Sequence, residues 1–376
     1  MTAATADAQP RPNHGLEVLL ARGARALGPL VLTLAVGAAV LAATGRNPGS
    51  VYHLYLVQAA GTWPRLANTL AAGTPLLLTG VGTALAFRAG FFNVGLEGSV
   101  YVGALATAWV GAEWSGASAP FVTAGALLLG LAVGLAWQLL PALLRAYLAI
   151  DEVVTTLMLN YVGIALTSYF VLYHFLYQTI GNAQTPPIPD SVRLHPFVAG
   201  TTLTLAAPVA LGVALVYGWF LRGTRLGAEV RMVGDNPRFA AAVGFSVRRS
   251  ALLTMLVGGA LGGLAGAFIV LGVTYNFTSG FSTQPGYGYS GIAVAVLGRN
   301  SWVGLLLASL FFGGLASAGG VIQLFGNVPI ALTQILQGTL MIFAGVQFVR
   351  VRRRHRARAQ ETPTPRGAPL GGGGEG

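Results

Sequence analysis

The chain of 376 residues contains no lysine and no cysteine, and these two absences exclude several kinds of chemistry. A Walker A motif requires a lysine, so the chain cannot bind ATP through a P-loop of its own. A lysine Schiff base with retinal or pyridoxal phosphate is excluded for the same reason. Without cysteine there are no disulfides, thiolate metal sites or cysteine nucleophiles, and the redox compartment stays undetermined.

Charged residues are also scarce, at 9% of the chain, and the five histidines are scattered. Neither an HExxH zinc motif nor a GxSxG nucleophile motif is present. The sequence therefore predicts no catalytic residues, no metal site and no cofactor. It indicates a protein that is not an enzyme.

Apolar residues and glycine are what the chain has in abundance. Hydrophobic residues make up 54% of it, there are 53 glycines, and the mean hydropathy is +0.67. This composition is typical of an all-α, polytopic membrane helical bundle. The net charge of +11 lies mostly in short loops and tails beside apolar runs. Membrane lipid and topology account for it there, so we expect no nucleic-acid partner.

The apolar runs predict about ten transmembrane segments within a membrane domain at 26–349. Most are long enough to cross a hydrocarbon core of ~30 Å. Residues 1–25 are predicted to form a disordered tail, and 350–376 a basic, glycine-rich flexible tail. The first run is expected to be a retained anchor rather than a signal peptide, because nine more follow. The predicted segments are 26–43, 66–87, 94–112, 120–142, 152–176, 201–221, 250–273, 285–298, 303–325 and 329–349.

The distribution of arginine predicts how these segments are oriented. With ten segments, both ends of the chain lie on one side, and that side carries 19 of the 22 basic residues. The other side carries Arg46, Arg65 and Arg193. By the positive-inside rule, the amino and carboxyl ends and the loop 222–249 are cytoplasmic. We therefore expect a multi-pass protein of the plasma (inner) membrane.

The loop 222–249 carries six arginines and the signature of a short helix. Asp235 or Asn236 provides the N-cap, Pro237 occupies the first helical position, and Gly244 follows the predicted end at Val243. Phe239 and Val243 would share one face. These signals favour a rigid helix on which a soluble partner docks. The alternative, a solvated connector, explains the arginines but not the capping residues.

Two glycine-rich interruptions lie in corresponding halves of the chain, RAGFFNVGLEGSVYVG at 88–103 and QPGYGYSGIAVAVLG at 284–298. Paired interruptions of membrane helices point to a binding site, because irregular backbone at membrane depth is tolerated where it lines a cavity. Close helix packing through small residues is the alternative. The segment 285–298 is short enough to be a partial or broken helix.

Four polar residues are candidates for a substrate pathway inside the membrane: Asn93, Glu97, Thr156 and Asn160. A carboxylate at membrane depth needs a partner, and a structural lock to Arg88 or to backbone N–H groups is the alternative for Glu97. Thr156 and Asn160 share a helix face. A buried asparagine suits an uncharged polar ligand, although hydrogen bonding between helices is an equally ordinary use.

Several of these segments resemble one known family. FNVGLEGS at 92–99, DEVVTTLMLNYVG at 151–163, GTRLGAEVRMVGDNPRFAAAVGFS at 223–246 and GIAVAVLGRNSWVG at 291–304 closely resemble permease subunits of ABC importers for simple sugars and nucleosides. The nucleoside branch is the most similar, and the resemblance covers about 60–348. One departure is Ser99, where that family usually has glutamine.

The resemblance implies a permease subunit that moves nucleosides or related simple sugars into the cytoplasm. It implies three protein partners, namely an ABC ATPase subunit, a second permease subunit (identical or paralogous) and an extracytoplasmic substrate-binding lipoprotein. The residues that it assigns to ATPase docking are Gly234, Asn236, Ala240, Ala241 and Gly244. The alternative function is an ion-coupled secondary transporter of a small polar solute, which would need ionisable groups at mid-membrane.

Overall fold

The computed structural model describes residue 28 and residues 31–114, 116–175, 177, 182–282, 286–325 and 329–360. Regular secondary structure in this part of the chain is helical, with two isolated bridges that join Tyr177 to Gln184 and Gln184 to Thr278. The predicted all-α class is confirmed. The tail 1–25 and the residues after Gln360 lie outside the described residues.

Fourteen α-helices follow one another among the described residues. A 3₁₀ turn at Asp190–Val192 precedes α8, and a π-helical turn at Val270–Thr274 ends α11. The α-helices are α1 Val31–Ala43, α2 Pro48–Ala60, α3 Trp63–Arg88, α4 Leu96–Glu113, α5 Ala119–Trp137, α6 Leu139–Leu148, α7 Glu152–Tyr173, α8 Ala206–Gly223, α9 Arg225–Asp235, α10 Pro237–Ala242, α11 Val247–Ile269, α12 Tyr287–Leu297, α13 Trp302–Phe325 and α14 Ile330–Gln360.

Six helical stretches of the described chain are long and apolar enough to cross a membrane. They are Trp63–Arg88, Ala119–Leu148, Glu152–Tyr173, Ala206–Gly223, Val247–Thr274 and Trp302–Leu324. The other four predicted segments correspond to α4 and to three shorter apolar helices, Val31–Ala43, Tyr287–Leu297 and Ile330–Phe343. The structure thus supports a multi-pass helical bundle.

The bundle has inner and outer helices, and their burial differs accordingly. The most apolar window of α3 is 83% buried and that of α11 is 72% buried, against 22% for α7 and 28% for α8. The inner helix α4 is buried along most of its length, including Glu97 and Ser99. Because α4 is enclosed by other helices, it needs no lipid-compatible surface and tolerates polar residues.

Small residues bring the inner helices into close contact, as the sequence GGALGGLAGA at 258–267 indicates. A Cβ atom added at Gly263 would collide with the carbonyl oxygen of Gly130 on α5. One added at Gly266 would collide with the carbonyl oxygen of Val100 on α4. The glycines of α11 therefore allow backbone-to-backbone packing of α4, α5 and α11.

The structure departs from the predicted segments in three places. The predicted segment 120–142 is two helices that meet at the buried Gln138. The loop after α1 contains α2, which begins with Asn47 as its N-cap. The helix α14 continues to Gln360, so the beginning of the predicted flexible tail is helical.

Candidate functional site

A cavity of about 500 Å³ lies between α3, α11, α12, α13 and α14. Its walls come from the first half of α3, the end of α11, the first turn of α12, the second half of α13 and the first half of α14. The lining residues are Asn68, Ala71, Ala72, Pro75, Leu76, Gly200, Thr202, Ile269, Val273, Gly286, Tyr287, Ser290, Ala316, Ser317, Gly319, Val321, Ile330, Thr333, Gln334 and Gln337.

The polar groups of this cavity are all uncharged. Gln337 is only 8% exposed, and its side-chain amide has no hydrogen-bond partner among the described residues. The Ser290 hydroxyl, 6% exposed, has none there either. By contrast, the Asn68 Oδ1 accepts a hydrogen bond of 3.0 Å from the Thr202 N–H. Two buried polar side chains therefore keep hydrogen-bonding capacity for a ligand.

This lining fits a neutral, hydroxyl-rich or amide-bearing solute. Amide and hydroxyl groups both donate and accept hydrogen bonds, so they match alcohols and heterocycles without imposing a charge. The ring of Tyr287 adds a flat aromatic surface against which a planar group can stack. A charged solute would enter the cavity without an opposite charge in the lining to offset its desolvation.

None of the four predicted pathway residues lines the cavity, although all four are buried. The carboxylate of Glu97 binds the start of α12 instead. Its Oε1 accepts a hydrogen bond of 2.6 Å from the Ser282 hydroxyl, and its Oε2 accepts one of 2.5 Å from the Gly288 N–H. The two glycine-rich interruptions of the sequence therefore meet, on the side of α12 that contacts α4.

Asn160 on α7 hydrogen-bonds to both glycine-rich interruptions through the nitrogen and the oxygen of its side-chain amide. Its Nδ2 donates to the Val94 carbonyl at 2.9 Å and to the Tyr289 hydroxyl at 3.2 Å, and its Oδ1 accepts from the Gly98 N–H at 2.8 Å. Asn160 lies two turns into α7, roughly 12 Å from its start at 1.5 Å per residue. The irregular backbone before α4 is therefore held against α7 two turns from the start of that helix.

Thr156 and Asn93 support the segment between α3 and α4. The Thr156 Oγ1 accepts a hydrogen bond of 3.3 Å from the Val94 N–H and donates one of 2.6 Å to the Glu152 carbonyl. The Asn93 Oδ1 accepts from the Gly95 N–H at 2.8 Å. The bond from Val94 to Thr156 joins the loop to α7, whereas the Asn93 Nδ2 is buried without a hydrogen-bond partner among the described residues.

Arg88, considered as a partner for Glu97, has a different role. Its Nε and Nη2 donate to the Asn300 carbonyl at 3.3 and 3.2 Å, and the Tyr217 hydroxyl donates to the same oxygen at 2.9 Å. Arg88 thereby joins the end of α3 to the turn between α12 and α13. The alternative of a backbone lock for Glu97 is the one that the structure shows.

The predicted short helix in the loop 222–249 is present as α10. The Asn236 Oδ1 accepts hydrogen bonds of 3.1 Å from the N–H groups of Arg238 and Phe239, and Pro237 occupies the first position. The helix ends at Ala242, one residue before the predicted end. Gly244 has a φ of +88°, and the following N–H bonds back to the Ala240 carbonyl. Glycine is favoured there because this φ is unfavourable for other residues.

The exposed residues of α10 are apolar except for Arg238. Phe239 is 55% exposed and Val243 is 50% exposed, and Ala241 is also at the surface. Ala240 is fully buried against the rest of the chain. An apolar surface on an otherwise arginine-rich loop is a candidate docking surface for another protein.

The helix α9 supports α10 and has no counterpart among the predicted helices. Val230 and Val233 are buried on its inner face, and its Thr224 N-cap accepts from the Gly227 N–H at 3.0 Å. At Gly234 the helix packs so closely on Arg88 that an added Cβ would collide with the carbonyl of that arginine. The apolar spacing after Thr224 is the signal that could have predicted α9.

The cavity residues Asn68, Tyr287, Ser290, Gln334 and Gln337 are not among the predicted site residues. They lie on three helices that are far apart in the sequence, with Tyr287 and Ser290 three residues apart on α12 and Gln334 and Gln337 three residues apart on α14. The available signals were that spacing and the position of Tyr287 and Ser290 within the glycine-rich interruption 284–298. Only the packing of α3, α12 and α14 brings these residues together.

A multi-pass helical bundle with an uncharged polar cavity has the architecture of a membrane transport protein. Its sequence matches the family described as "Branched-chain amino acid transport system / permease component" over residues 65–345. The chain belongs to this family. It is a membrane-spanning permease subunit of an ABC transporter.

Named relatives are similar to this chain over most of their length. A guanosine ABC transporter permease protein of Bacillus subtilis is 32% identical over 85% of this chain and 92% of the relative. A glucose ABC transporter permease protein of Haloferax volcanii is 34% identical over 88% and 89%. A nucleoside ABC transporter permease protein of Lactococcus lactis is 28% identical over 85% and 90%. The family expected from the sequence motifs is confirmed.

Proposed function

We propose that this chain is the membrane permease of an importer that moves a neutral nucleoside or simple sugar into the cytoplasm, driven by ATP hydrolysis on a partner subunit. The observation that carries the proposal is the cavity, where the described lining residues supply hydrogen-bonding groups and an aromatic ring but no charge. The named relatives transport guanosine, glucose and nucleosides, which are uncharged and rich in hydroxyl groups.

The source of energy for transport is inferred from the absence of lysine in the chain. Without lysine it has no P-loop, so ATP energy must arrive by contact with another chain. The helix α10 offers an apolar, rigidly capped surface for that contact. The coupling segment in this proposal comprises Gly234, Asn236, Pro237, Phe239, Ala240, Ala241 and Gly244. Phe239 and Ala241 face outward for docking, whereas the buried Ala240 and the closely packed Gly234 fix α10 to the rest of the chain. We assign the chain no nucleotide site of its own, and hence no enzymatic activity.

Two further partners complete the proposal. A substrate-binding lipoprotein delivers the solute from outside, and a second permease subunit, identical or paralogous, provides the other half of the membrane channel. The large apolar side chains exposed on the outer helices, such as Tyr161, Trp219 and Leu307, contact lipid or that second subunit. Binding of radiolabelled nucleosides and sugars to the lipoprotein would identify the solute.

The energy source separates this proposal from an ion-coupled secondary transporter. We expect uptake of radiolabelled guanosine or glucose to persist when a protonophore collapses the proton gradient, and to stop when ATP is depleted. The physical reason is that the cavity lining has no ionisable carboxylate, histidine or arginine that could carry a coupling ion. Uptake that stops with the gradient while ATP remains would contradict the proposal and favour the ion-coupled alternative.

We also propose ten membrane segments with both ends in the cytoplasm, on the arginine distribution and the six long and four shorter helices. Because the chain has no cysteine, this topology can be tested with variants that each carry one introduced cysteine. Ser191→Cys should react with a membrane-impermeant maleimide on intact cells. Asp235→Cys should react only after the membrane is permeabilised. The reverse pattern would contradict the topology.

A further inference from the structure

We propose that Glu97 is a positioning residue that shapes the transport cavity. It hydrogen-bonds to the first turn of α12 on the side that faces away from the cavity. This inference rests on the proposed function of the cavity. It assigns Glu97 a role that does not involve contact with the solute, because Glu97 is absent from the cavity lining.

The start of α12 has no capping side chain of its own. Gly286 occupies the N-cap position, so the first N–H groups of the helix need acceptors from elsewhere. Glu97 supplies them from α4. The Gly288 N–H donates directly to Glu97 Oε2 at 2.5 Å. The Tyr287 N–H donates to the Ser282 Oγ at 3.1 Å, and that hydroxyl donates to Glu97 Oε1 at 2.6 Å.

The local backbone is built around this carboxylate. Gly286 has a φ of +87°, and a Cβ added there would lie 2.6 Å from Glu97 Oε1. A negative charge at a helix N-terminus is also favoured by the helix dipole. The interaction is buried, since Glu97 is only 2% exposed. A charged hydrogen-bond acceptor that is buried contributes more than a surface contact does.

One side of the first turn of α12 binds Glu97, and the opposite side lines the cavity. Gly288 and Tyr289 bind Glu97 and Asn160, which belong to α4 and α7. Tyr287 and Ser290, three residues apart, line the cavity. The position of the Tyr287 ring and the Ser290 hydroxyl therefore depends on the contacts that Glu97 makes on the far side of α12.

Replacing Glu97 with glutamine is the direct test. The amide keeps one acceptor oxygen, but its NH₂ group faces an N–H or O–H donor. We expect the first turn of α12 to loosen, which raises the apparent KM for uptake about tenfold, the size expected for a buried charged hydrogen bond. We expect Vmax per assembled complex to stay within about twofold, because the docking surface is remote.

The labelling rate of a cysteine introduced in the cavity wall reports how accessible that wall is. Ser290→Cys, in the otherwise cysteine-free full chain with its ATPase and binding protein, is labelled with a membrane-impermeant maleimide. We expect the labelling rate to change about fivefold or more when Glu97→Gln is added, since a frayed turn exposes Ser290 differently. Glu152→Gln is the matched control. That carboxylate pairs with Arg145 at 2.9 Å and accepts a hydrogen bond of 3.1 Å from the Phe92 N–H, and neither partner belongs to α12, so the labelling rate should not change.

Three results would overturn the inference. One is an unchanged labelling rate with a raised KM, which would make Glu97 a direct contact of the solute. Another is a lower yield of complex with KM and labelling both unchanged, which would make Glu97 only a folding lock. If Glu97→Gln does not assemble, Ser282→Ala removes only the indirect link and should shift labelling and KM in the same direction; no shift would count against the role.

The proposed function can be wrong while the role of Glu97 is right. If the wild-type complex takes up neither guanosine nor glucose, the assigned solute class is wrong. The labelling comparison between Glu97→Gln and Glu152→Gln needs no solute. It still decides whether Glu97 sets the wall of the cavity.

Discussion

Ala241→Glu is expected to abolish transport while the chain still inserts in the membrane. Ala241 is exposed on α10, so the glutamate is solvated in the isolated subunit and should not disturb its fold. If the exposed face of α10 docks in a groove of the ATPase, docking would bury an unpaired charge. Burial of an uncompensated charge costs about 3–5 kcal/mol, enough to lower the affinity by roughly two to four orders of magnitude.

Co-purification of the ATPase with the membrane subunit measures this effect directly. Ala241→Ser is the matched control, since it adds a small hydroxyl without charge and should keep wild-type assembly. Gly244→Val should also weaken docking, because valine is strained at a φ of +88° and would disturb the end of α10. ATPase recovered at wild-type yield with Ala241→Glu would show that docking lies elsewhere.

Ser290→Trp is expected to block solute movement without affecting assembly. Ser290 lies in the wall of the cavity of about 500 Å³, with Tyr287 one turn before it on the same side of α12. An indole in this position fills the space that the solute would occupy. Uptake should fall to the level of cells without the importer, while the ATPase still co-purifies. Ser290→Ala should retain most of the uptake at saturating solute, because it removes one hydrogen-bonding group but adds no bulk to the cavity.

Leu307→Trp is the control for introducing a tryptophan elsewhere, since Leu307 is 64% exposed on the outer surface of α13.

Gln337→Leu tests recognition of the solute in the same cavity, because leucine is similar in size but lacks the amide oxygen and nitrogen. If Gln337 binds solute, losing a buried hydrogen bond should cost about 1–3 kcal/mol of binding free energy, which raises the apparent KM roughly 5- to 160-fold. Normal uptake by Ser290→Trp would place the pathway outside this cavity.

The features that the sequence predicts well are local or compositional. The membrane class follows from 54% apolar residues, because the bilayer admits only structures whose backbone groups are satisfied internally. The capped helix α10 follows from Asn236, Pro237 and Gly244, because each cap acts within four residues of itself. The family also follows from short motifs, each read within one segment.

The sequence is less informative where helices bend or meet. It predicts one segment at 120–142 where the chain forms α5 and α6, since the break at Gln138 depends on its packing inside the bundle. It misses α9, whose buried valines face neighbours rather than an apolar membrane. It identifies Glu97 and Asn160 as buried polar groups in need of partners, but not which partners they have.

The sequence alone determined that this is an all-helical membrane protein with a basic loop, a capped short helix and two interrupted helices. Only the tertiary structure decided that the interruptions meet, that Glu97 caps α12, and that Gln337 and Ser290 share a cavity. Glu97 and Gly288 are 191 positions apart, and contacts at that separation leave no periodic or capping pattern in the sequence. This contact depends on glycine in α12, because a Cβ atom added at Gly288 would collide with the backbone of Glu97, so only a glycine lets α12 approach α4 this closely.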